Sequence, residues 1–273
     1  MLQQFRDTFV FRARLDRILD LWRGKDLFRM FRIGPTHRAK CTGKPLPPLM
    51  FPTVAENLST MPLSHVEDLD DPRLEDFRDI RDRDLRGRDG IFLGEQTLVV
   101  ERMLQNPALL RRILVIESRK DWLESALSRH GNPEVECLVA PRSLLEEIAG
   151  FDVHRGVLAS ANRAALDGRS LHQVLPAPSE PATVLCCQAI NNIDNIGMLF
   201  RIAAAFGVDA LLLDPTCHDP LYRKSLRVSI GHALRIPFVR SQDWFADLDA
   251  LRKTHGFTLL ASAISEHSSS LDT

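Results

Sequence analysis

From about residue 90 onward, short runs of apolar residues alternate along the chain with segments in which apolar positions recur every three or four residues. Runs of strand length predict strands over 91–96, 110–118, 135–140 and 155–163. The intervening helical periodicity predicts helices over 97–107, 120–131 and 141–151. Strands that alternate with helices predict an α/β layer structure.

The same alternation restarts after a Pro-rich segment. Residues 164–182 hold Pro176, Pro178 and Pro181 and predict a short helix followed by a linker. Beyond it, strands are predicted over 183–190, 208–214, 236–240 and 257–264, and helices over 195–207, in a segment ending at 232, and over 242–256. "TVLCCQAI" (183–190) is a continuous apolar run, typical of a strand buried on both faces of a parallel sheet. We therefore predict a first domain at 61–165, a linker at 166–182 and a second domain at 183–273.

Residues 1–60 differ in character and are predicted to be a basic, poorly ordered N-terminal extension. Residues 1–50 contain eleven Lys or Arg residues against four Asp residues, and "TGKPLPPLMFPT" (42–53) resembles an extended connector. Met61 immediately precedes a segment that is typical of the start of a domain, so we also expect Met61 to be a candidate initiator methionine.

The composition restricts the class of protein. Hydrophobic residues make up 44% and charged residues 26%, which is ordinary for a globular protein, and no apolar run approaches the roughly 20 residues that span a bilayer. The five cysteines are scattered, without a CxxC pair or zinc-ligand spacing, which favours reduced thiols in a cytoplasmic protein and no metal site. The net charge of −1 neither favours nor excludes binding to nucleic acid, but residues 222–240 contain five basic residues and no acidic residue. This basic segment either binds phosphate groups or is a solvent-exposed surface without a ligand.

One turn combines polar side chains with a position where ligands bind. Asn191 to Asn195 follow the first predicted strand of the second domain, and ligands of open α/β sheets bind at the carboxyl ends of strands. The structural alternatives are equally simple: Asp194 and Asn195 can cap the helix, Gly197 can permit close packing, and Arg201 can be a surface charge.

Four segments in order resemble one family. "NIDNIGMLFRIAAAFGVDALLL" (192–213) resembles the first signature, N-x-G-x-x-x-R, of SpoU-type (TrmH-like) RNA ribose 2′-O-methyltransferases. "DPLYRKSLRVSIGHALRIPFVR" (219–240) resembles the second signature of that family. "FLGEQTLVVERML" (92–104) and "FDVHRGVLASANR" (151–163) resemble the two ends of its L30e-like substrate-binding domain. The resemblance implies an L30e-like α/β domain followed by a SPOUT-type α/β knot domain.

The sequence departs from the family at three places. The Pro that usually precedes the motif Asn is missing, and Gln96 follows Glu95 where the family usually has Glu-Gly. The third signature, which closes the knot and forms most of the cofactor pocket, is expected after 257–264 but does not occur before Thr273. We therefore expect a truncated methyltransferase domain with an incomplete knot.

The resemblance implies transfer of a methyl group from S-adenosylmethionine to a ribose 2′-hydroxyl of RNA. Arg201 would activate the hydroxyl, and because a guanidinium is hard to deprotonate, we expect it to stabilise the forming alkoxide and the adjacent phosphate. Asn195 is expected to share the helix face of Arg201 and to hold its guanidinium in place. Two further groups of residues are implied: Ser229 and Gly231 near the cofactor, and Arg223, Lys224 and Arg227 on RNA phosphates. Helix-surface charge and a structural hydroxyl remain the alternatives for these residues.

The resemblance implies two partners, RNA and a second copy of the chain, and no membrane. Ribosomal RNA is favoured over transfer RNA, because the L30e-like domain usually occurs in family members that act on ribosomal RNA. Two other functions stay open. A catalytically inactive RNA-binding relative would bind RNA without methyl transfer. An unrelated nucleotide-dependent α/β enzyme would bind nucleotides but be indifferent to RNA, although the chain contains neither GxGxxG nor GxxxxGK[ST].

Overall fold

The computed structural model describes residues 9–10, 63–78, 90–130, 135–150, 153, 155–176 and 181–262. Its strands are β1 (Phe9–Val10), β2 (Ser64–His65), β3 (Ile91–Glu95), β4 (Leu110–Ile116), β5 (Glu136–Ala140), β6 (Val157–Asn162), β7 (Val184–Cys187), β8 (Ala210–Leu213), β9 (Phe238–Arg240) and β10 (Ala261–Ser262). Its α-helices are α1 (Thr97–Leu104), α2 (Lys120–His130), α3 (Arg142–Ala149), α4 (Leu171–Val174), α5 (Ile193–Phe206), α6 (Arg223–Val228) and α7 (Trp244–Lys253). The candidate initiator Met61 and the rest of the predicted extension lie outside the described residues.

The strands form two five-stranded sheets, and the division into two domains with the predicted bounds stays a prediction. The first sheet has the order β2-β5-β4-β6-β3, in which β5 is parallel to β2 and β4, and β6 is antiparallel to β4 and β3. The second has the order β10-β1-β7-β8-β9 with β7, β8 and β9 parallel. The predicted α/β fold class is confirmed, and β7 is buried along its whole length as its apolar sequence predicts.

Strand β1 is an element that the sequence did not predict. Its two residues pair antiparallel with β7 on one side and with β10 on the other. They come from the segment that we expected to be a poorly ordered extension. Strand pairing is long-range, and a two-residue strand carries too little periodicity to be seen in the sequence.

Local signals explain where the helix that begins the second domain starts and ends. Asn192 caps α5 because its side-chain oxygen accepts hydrogen bonds from the backbone N–H groups of Asp194 (2.7 Å) and Asn195 (3.2 Å). Gly207 ends the helix with φ of 66°, a left-handed conformation that glycine adopts without strain. The N-cap is therefore Asn192, and neither Asp194 nor Asn195 has the capping role that the sequence allowed.

The two halves of the chain share one apolar core. A continuous cluster of buried side chains joins α1 of the first half to α5, α6 and the segment before β9 of the second half. Two ion pairs cross the same boundary, Arg227 to Glu95 (2.9 Å) and Arg163 to Asp219 (2.7 Å). The segment predicted as a linker contributes Leu166 to this core and holds the short helix α4.

The four cysteines in the described part of the chain are buried free thiols. Burial raises the pKa of Cys137 and Cys186 to about 12 and that of Cys217 to about 11. Such thiols are not nucleophiles at neutral pH. Within the described ranges there is no helix long and apolar enough to cross a membrane, and no cluster of side chains that could bind a metal ion.

Candidate active site

Gly197 lies where α5 and α6 come into close contact. A β-carbon at this position would lie 2.7 Å from Val228 Cβ and 2.8 Å from the carbonyl oxygen of Ser225. Both distances are too short for any side chain, and the second neighbour is backbone, which cannot move aside locally. The glycine of the N-x-G-x-x-x-R motif therefore permits close helix packing, one of the roles that the sequence left open.

Arg201 is exposed on α5, and Asn195 is not on its face of the helix. Six residues separate the two, which corresponds to about 9 Å along the helix axis and about 120° around it. The expectation that Asn195 holds the guanidinium from the same helix face is therefore wrong. Asn195 is exposed at the first turn of α5, and its backbone N–H donates to the Asn192 side chain.

Arg227 and Lys224, which were predicted to contact RNA, each form an ion pair with a carboxylate of the protein. Arg227 Nη1 lies 2.9 Å from Oε2 of Glu95, a carboxylate that is almost fully buried at the end of β3. Lys224 Nζ lies 2.8 Å from Asp194 Oδ2, and both of these side chains are about half exposed. Arg223 begins α6 and is partly buried. Contact of these three residues with RNA stays a prediction. To contact RNA, Arg227 would have to break its ion pair with Glu95 or bind Glu95 and a phosphate at the same time.

The predicted cofactor residues lie in the turn after α6. The hydroxyl of Ser229 is fully buried and donates a hydrogen bond to the Leu226 carbonyl oxygen (3.1 Å). Gly231 has φ of 70°, and a β-carbon there would lie 2.9 Å from Cδ of Arg102, which reaches it from α1 of the first half. The Ser229 hydroxyl therefore has a structural role, because it bonds to the backbone of α6. Contact of Ser229 or Gly231 with a cofactor stays a prediction.

Three described residues other than glycine have positive φ, and each lies beside a segment that the sequence singled out. Gln96 (83°) follows β3, Ala189 (55°) follows β7, and Ile230 (52°) lies between Ser229 and Gly231. Such conformations cost roughly 1–3 kcal/mol each and persist where the surroundings enforce them, often at functional sites. A β-branched residue such as Ile230 is especially unusual in this region.

The backbone conformation of Gln96 explains in physical terms why the family usually has glycine at this position. Gln96 occupies the position where the glycine of Glu-Gly is usual, and its φ of 83° with ψ of 146° is a conformation that favours glycine.

We expect Gln96→Gly to raise the free energy of unfolding by about 1 kcal/mol, measured by urea denaturation. Gln105→Gly at the other end of α1 is the matched control, because Gln105 has an ordinary φ of −70°. That variant should be neutral or destabilised, and equal effects of both substitutions would contradict the assignment of strain to Gln96.

A cluster of positive charge surrounds His232, and the sequence analysis missed it. Burial lowers the pKa of His232 from its usual 6.5 to about 4, and the charges of Arg102, Arg235 and Arg201 lower it further in that order of importance. The imidazole is therefore neutral at pH 7. No sequence signal could have joined Arg102 to the others, because it lies about a hundred residues earlier in another domain.

Comparisons with known proteins identify the family. The model of the SpoU rRNA Methylase family matches residues 182–272. An uncharacterized tRNA/rRNA methyltransferase of Mycobacterium tuberculosis is 36% identical over 211 residues, which cover 76% of this chain and 70% of that protein. The chain belongs to the SpoU rRNA methylase family. The resemblance inferred from the four sequence segments is thus confirmed.

More distant SpoU relatives share the fold and include enzymes with a named reaction. The 23S rRNA (guanosine(2553)-2'-O)-methyltransferase RlmP of Bacillus subtilis is 22% identical over 178 residues, covering 65% of each chain. Among solved structures, an rRNA methyltransferase from Sinorhizobium meliloti matches with a TM-score of 0.53 and 19% identity, covering 69% of this chain and 70% of that one. The SpoU methyltransferase AviRb of Streptomyces viridochromogenes, solved with AdoMet, matches with a TM-score of 0.53 and 22% identity, covering 68% of each chain.

S-adenosylmethionine is the cofactor of SpoU enzymes, and the predicted cofactor residues of this chain fit it incompletely. The Ser229 hydroxyl is already engaged, and the space beside Gly231 is filled by Arg102. Contact of either residue with the cofactor therefore stays a prediction.

Proposed function

We propose that this SpoU protein transfers a methyl group from S-adenosylmethionine to a ribose 2′-hydroxyl of RNA. The observation that carries the proposal is the environment of Arg201. The residue occupies the arginine position of the family signature, it is exposed, and it lies in the cationic cluster around His232. Among the described residues no carboxylate pairs with its guanidinium, so the charge remains available to a substrate.

The role of Arg201 follows from the chemistry of the attacking group. A ribose hydroxyl is a poor nucleophile until its developing negative charge is stabilised. The cofactor would supply an electrophilic methyl group and would leave as S-adenosylhomocysteine, while the hydroxyl proton would pass to water. The guanidinium of Arg201 acts as a hydrogen-bond donor and not as a base, and its N–H groups donate hydrogen bonds to the forming alkoxide. The neighbouring positive charges favour the phosphodiester next to that ribose.

Ribosomal RNA is the substrate that we propose. The names of the more distant relatives support this choice, since RlmP of Bacillus subtilis and RlmB of Acinetobacter baylyi are both 23S rRNA 2'-O-methyltransferases. Relatives described as tRNA/rRNA methyltransferases leave transfer RNA as the other substrate to include in the test. A cytoplasmic location is proposed with it, supported by the buried, unpaired thiols.

The decisive experiment is methyl transfer from radiolabelled S-adenosylmethionine to unmodified ribosomal RNA and transfer RNA. Label in ribosomal RNA should survive in alkali-resistant dinucleotides, because a 2′-O-methyl group blocks hydrolysis of the adjacent phosphodiester. Label in base fractions would contradict the ribose assignment. RNA binding without any transfer would favour the catalytically inactive relative, and binding of nucleotides without RNA would favour an unrelated enzyme.

A homodimer is the assembly that we propose, and the surface of α5 supports it. Met198, Ile202 and Phe206 are 40%, 43% and 54% exposed and follow one another at four-residue spacing, so they form one apolar line along the helix. Apolar side chains aligned in this way are typical of an interface, whereas scattered ones are ordinary surface.

We expect Phe206→Glu to shift the protein toward the monomer in sedimentation or light-scattering measurements. A carboxylate buried in an apolar interface is strongly unfavourable without a partner, so the dissociation constant should rise at least tenfold. Phe245→Glu on α7 is the matched control, because Phe245 is 77% exposed and lies outside the α5 line. A dimer that survives Phe206→Glu unchanged would remove this helix face from the proposed interface.

A further inference from the structure

Three arginines from separate parts of the chain converge on one place. Arg102 comes from α1 of the first half, Arg201 from the middle of α5, and Arg235 from the segment that precedes β9. Arg102 packs against Gly231, the neighbour of His232, Arg235 lies three residues after that histidine, and the charges of all three arginines lower its pKa. Arg201 and Arg235 are exposed and Arg102 is partly buried, so an anion can reach the cluster from solvent.

Three acidic residues close in sequence to Arg102 and Arg201 are paired with other cations. Glu101, next to Arg102, pairs with Arg129 of α2. Glu95, one turn before α1, pairs with Arg227, and Asp194 at the start of α5 pairs with Lys224. The cluster therefore keeps an excess of positive charge instead of being neutralised internally.

Arg102 packs against the second half, and none of the hydrogen bonds between described residues involves its side chain. Its Cδ lies 2.9 Å and its Cβ 3.5 Å from the position where Gly231 would carry a side chain, so only glycine admits the arginine here. Its Nη1 is buried and has no hydrogen-bond partner among the described residues. A buried guanidinium nitrogen without a partner is costly, and such a group is satisfied when a ligand supplies the acceptor.

We propose that Arg102, Arg201 and Arg235 form a composite site for one phosphodiester group of the RNA substrate, to which the first half of the chain contributes Arg102. The inference rests on the proposed function and adds the residue by which the first domain takes part in substrate positioning. Guanidinium groups bind phosphate oxygens in a bidentate way, and several around one site match the spread charge of a phosphodiester.

A cofactor carboxylate is the other anion that this site could bind, and the charge balance favours phosphate. The carboxylate of S-adenosylmethionine belongs to a molecule with a net positive charge, because that molecule also carries a sulfonium and an ammonium group, so three guanidinium groups attract it less strongly than they attract a phosphodiester. An RNA phosphodiester has no such compensating cation. Arg102 acts on binding and positioning, since it is not placed at the reacting atoms.

The test measures RNA binding by the full chain as a function of salt. We expect Arg102→Ala to weaken binding of a short single-stranded RNA about tenfold and to reduce the slope of log K against log salt by about 0.7, the contribution of one phosphate contact. Arg142→Ala is the matched control, because it removes the same charge from an exposed helix of the same half, where Arg142 pairs with Glu146. Arg102→Lys keeps the charge and should keep most of the slope.

Folding is measured in parallel, and it separates a ligand-binding role from a structural one. Desolvation and the neighbouring charge of Arg235 lower the pKa of Arg102, so its charged form is unfavourable in the free protein. Arg102→Ala should therefore leave Tm unchanged or raise it, while the increase in Tm caused by added RNA becomes smaller. A lower Tm without any change in RNA affinity would overturn the proposal.

His232 provides a spectroscopic report on the same site. Because the neighbouring positive charges depress its pKa, Arg102→Ala should raise the pKa of His232 from about 4, followed by NMR. A bound phosphodiester should raise it as well, so RNA affinity should increase as pH falls from about 6.5 toward 4. S-adenosylmethionine alone should not produce this shift, and a shift caused by the cofactor but not by RNA would assign the site to its carboxylate.

The outcomes distinguish this proposal from the proposed function. RNA affinity that is the same in Arg102→Ala and Arg142→Ala, with methyl transfer intact in the parent chain, overturns the phosphate site alone. RNA binding that depends on Arg102 without methyl transfer by the parent chain overturns the proposed function alone. A parent chain that binds no RNA overturns both.

Discussion

Arg201→Ala is expected to lower kcat for methyl transfer by about 100- to 1000-fold while leaving the affinity for S-adenosylmethionine unchanged. One charged donor directed at a developing oxyanion commonly contributes this much to the rate. The substitution should be tolerated by the fold, because Arg201 is exposed and no described residue forms an ion pair with it. Single-turnover assays at saturating RNA, together with cofactor titration by calorimetry, measure the two quantities separately.

Two further variants sharpen the interpretation of that result. Arg201→Lys keeps the charge but loses the planar, bidentate donor, so we expect activity between those of the parent and the alanine variant. Arg252→Ala removes an exposed arginine of α7 that pairs with Asp249, and it should be fully active. Full activity of Arg201→Ala would remove this residue from the mechanism, whereas a defect seen only at low RNA concentration would limit its role to binding.

The strands and helices of this protein were largely predictable because their signals are local. The apolar run at 183–190 contains β7, and the helical periodicity at 195–207 coincides with α5 up to its C-cap, Gly207. Asn192, Gly197 and Gly207 have the cap, packing and termination roles that such residue types indicate in a strand–helix unit. In contrast, β1 depends on pairing with strands far along the chain and was not predicted.

The candidate site was only partly predictable, for a similar reason. Arg201 was predicted from its motif, but the position of Asn195 was misjudged, because a spacing of six residues does not return to the same helix face. The partners of Arg227 and Gly231 come from the first half of the chain, as Glu95 and Arg102. A motif gives residue types and spacing, and it carries no information on contacts made across a domain boundary.

Asp219→Asn is expected to have the largest effect on stability, lowering the free energy of unfolding by about 3–5 kcal/mol. Asp219 pairs with Arg163 at 2.7 Å, and the two side chains are only 3% and 4% exposed. Removing Asp219 leaves the buried Arg163 paired only with the partly exposed Asp167, and the penalty of a poorly compensated buried charge exceeds the net contribution of the intact pair. The quantity is measured by chemical denaturation, with fluorescence and circular dichroism followed together.

Asp167→Asn is the matched control, because the same arginine also pairs with Asp167, at 2.8 Å, and Asp167 is about one-third exposed. Solvent screens that second pair, so its loss should cost about 1 kcal/mol or less. Adding Arg163→Met to Asp219→Asn should restore part of the stability, since the uncompensated charge is then removed. If the double variant is no more stable than Asp219→Asn, the loss of stability does not come from the charge of Arg163 that the first substitution leaves poorly compensated.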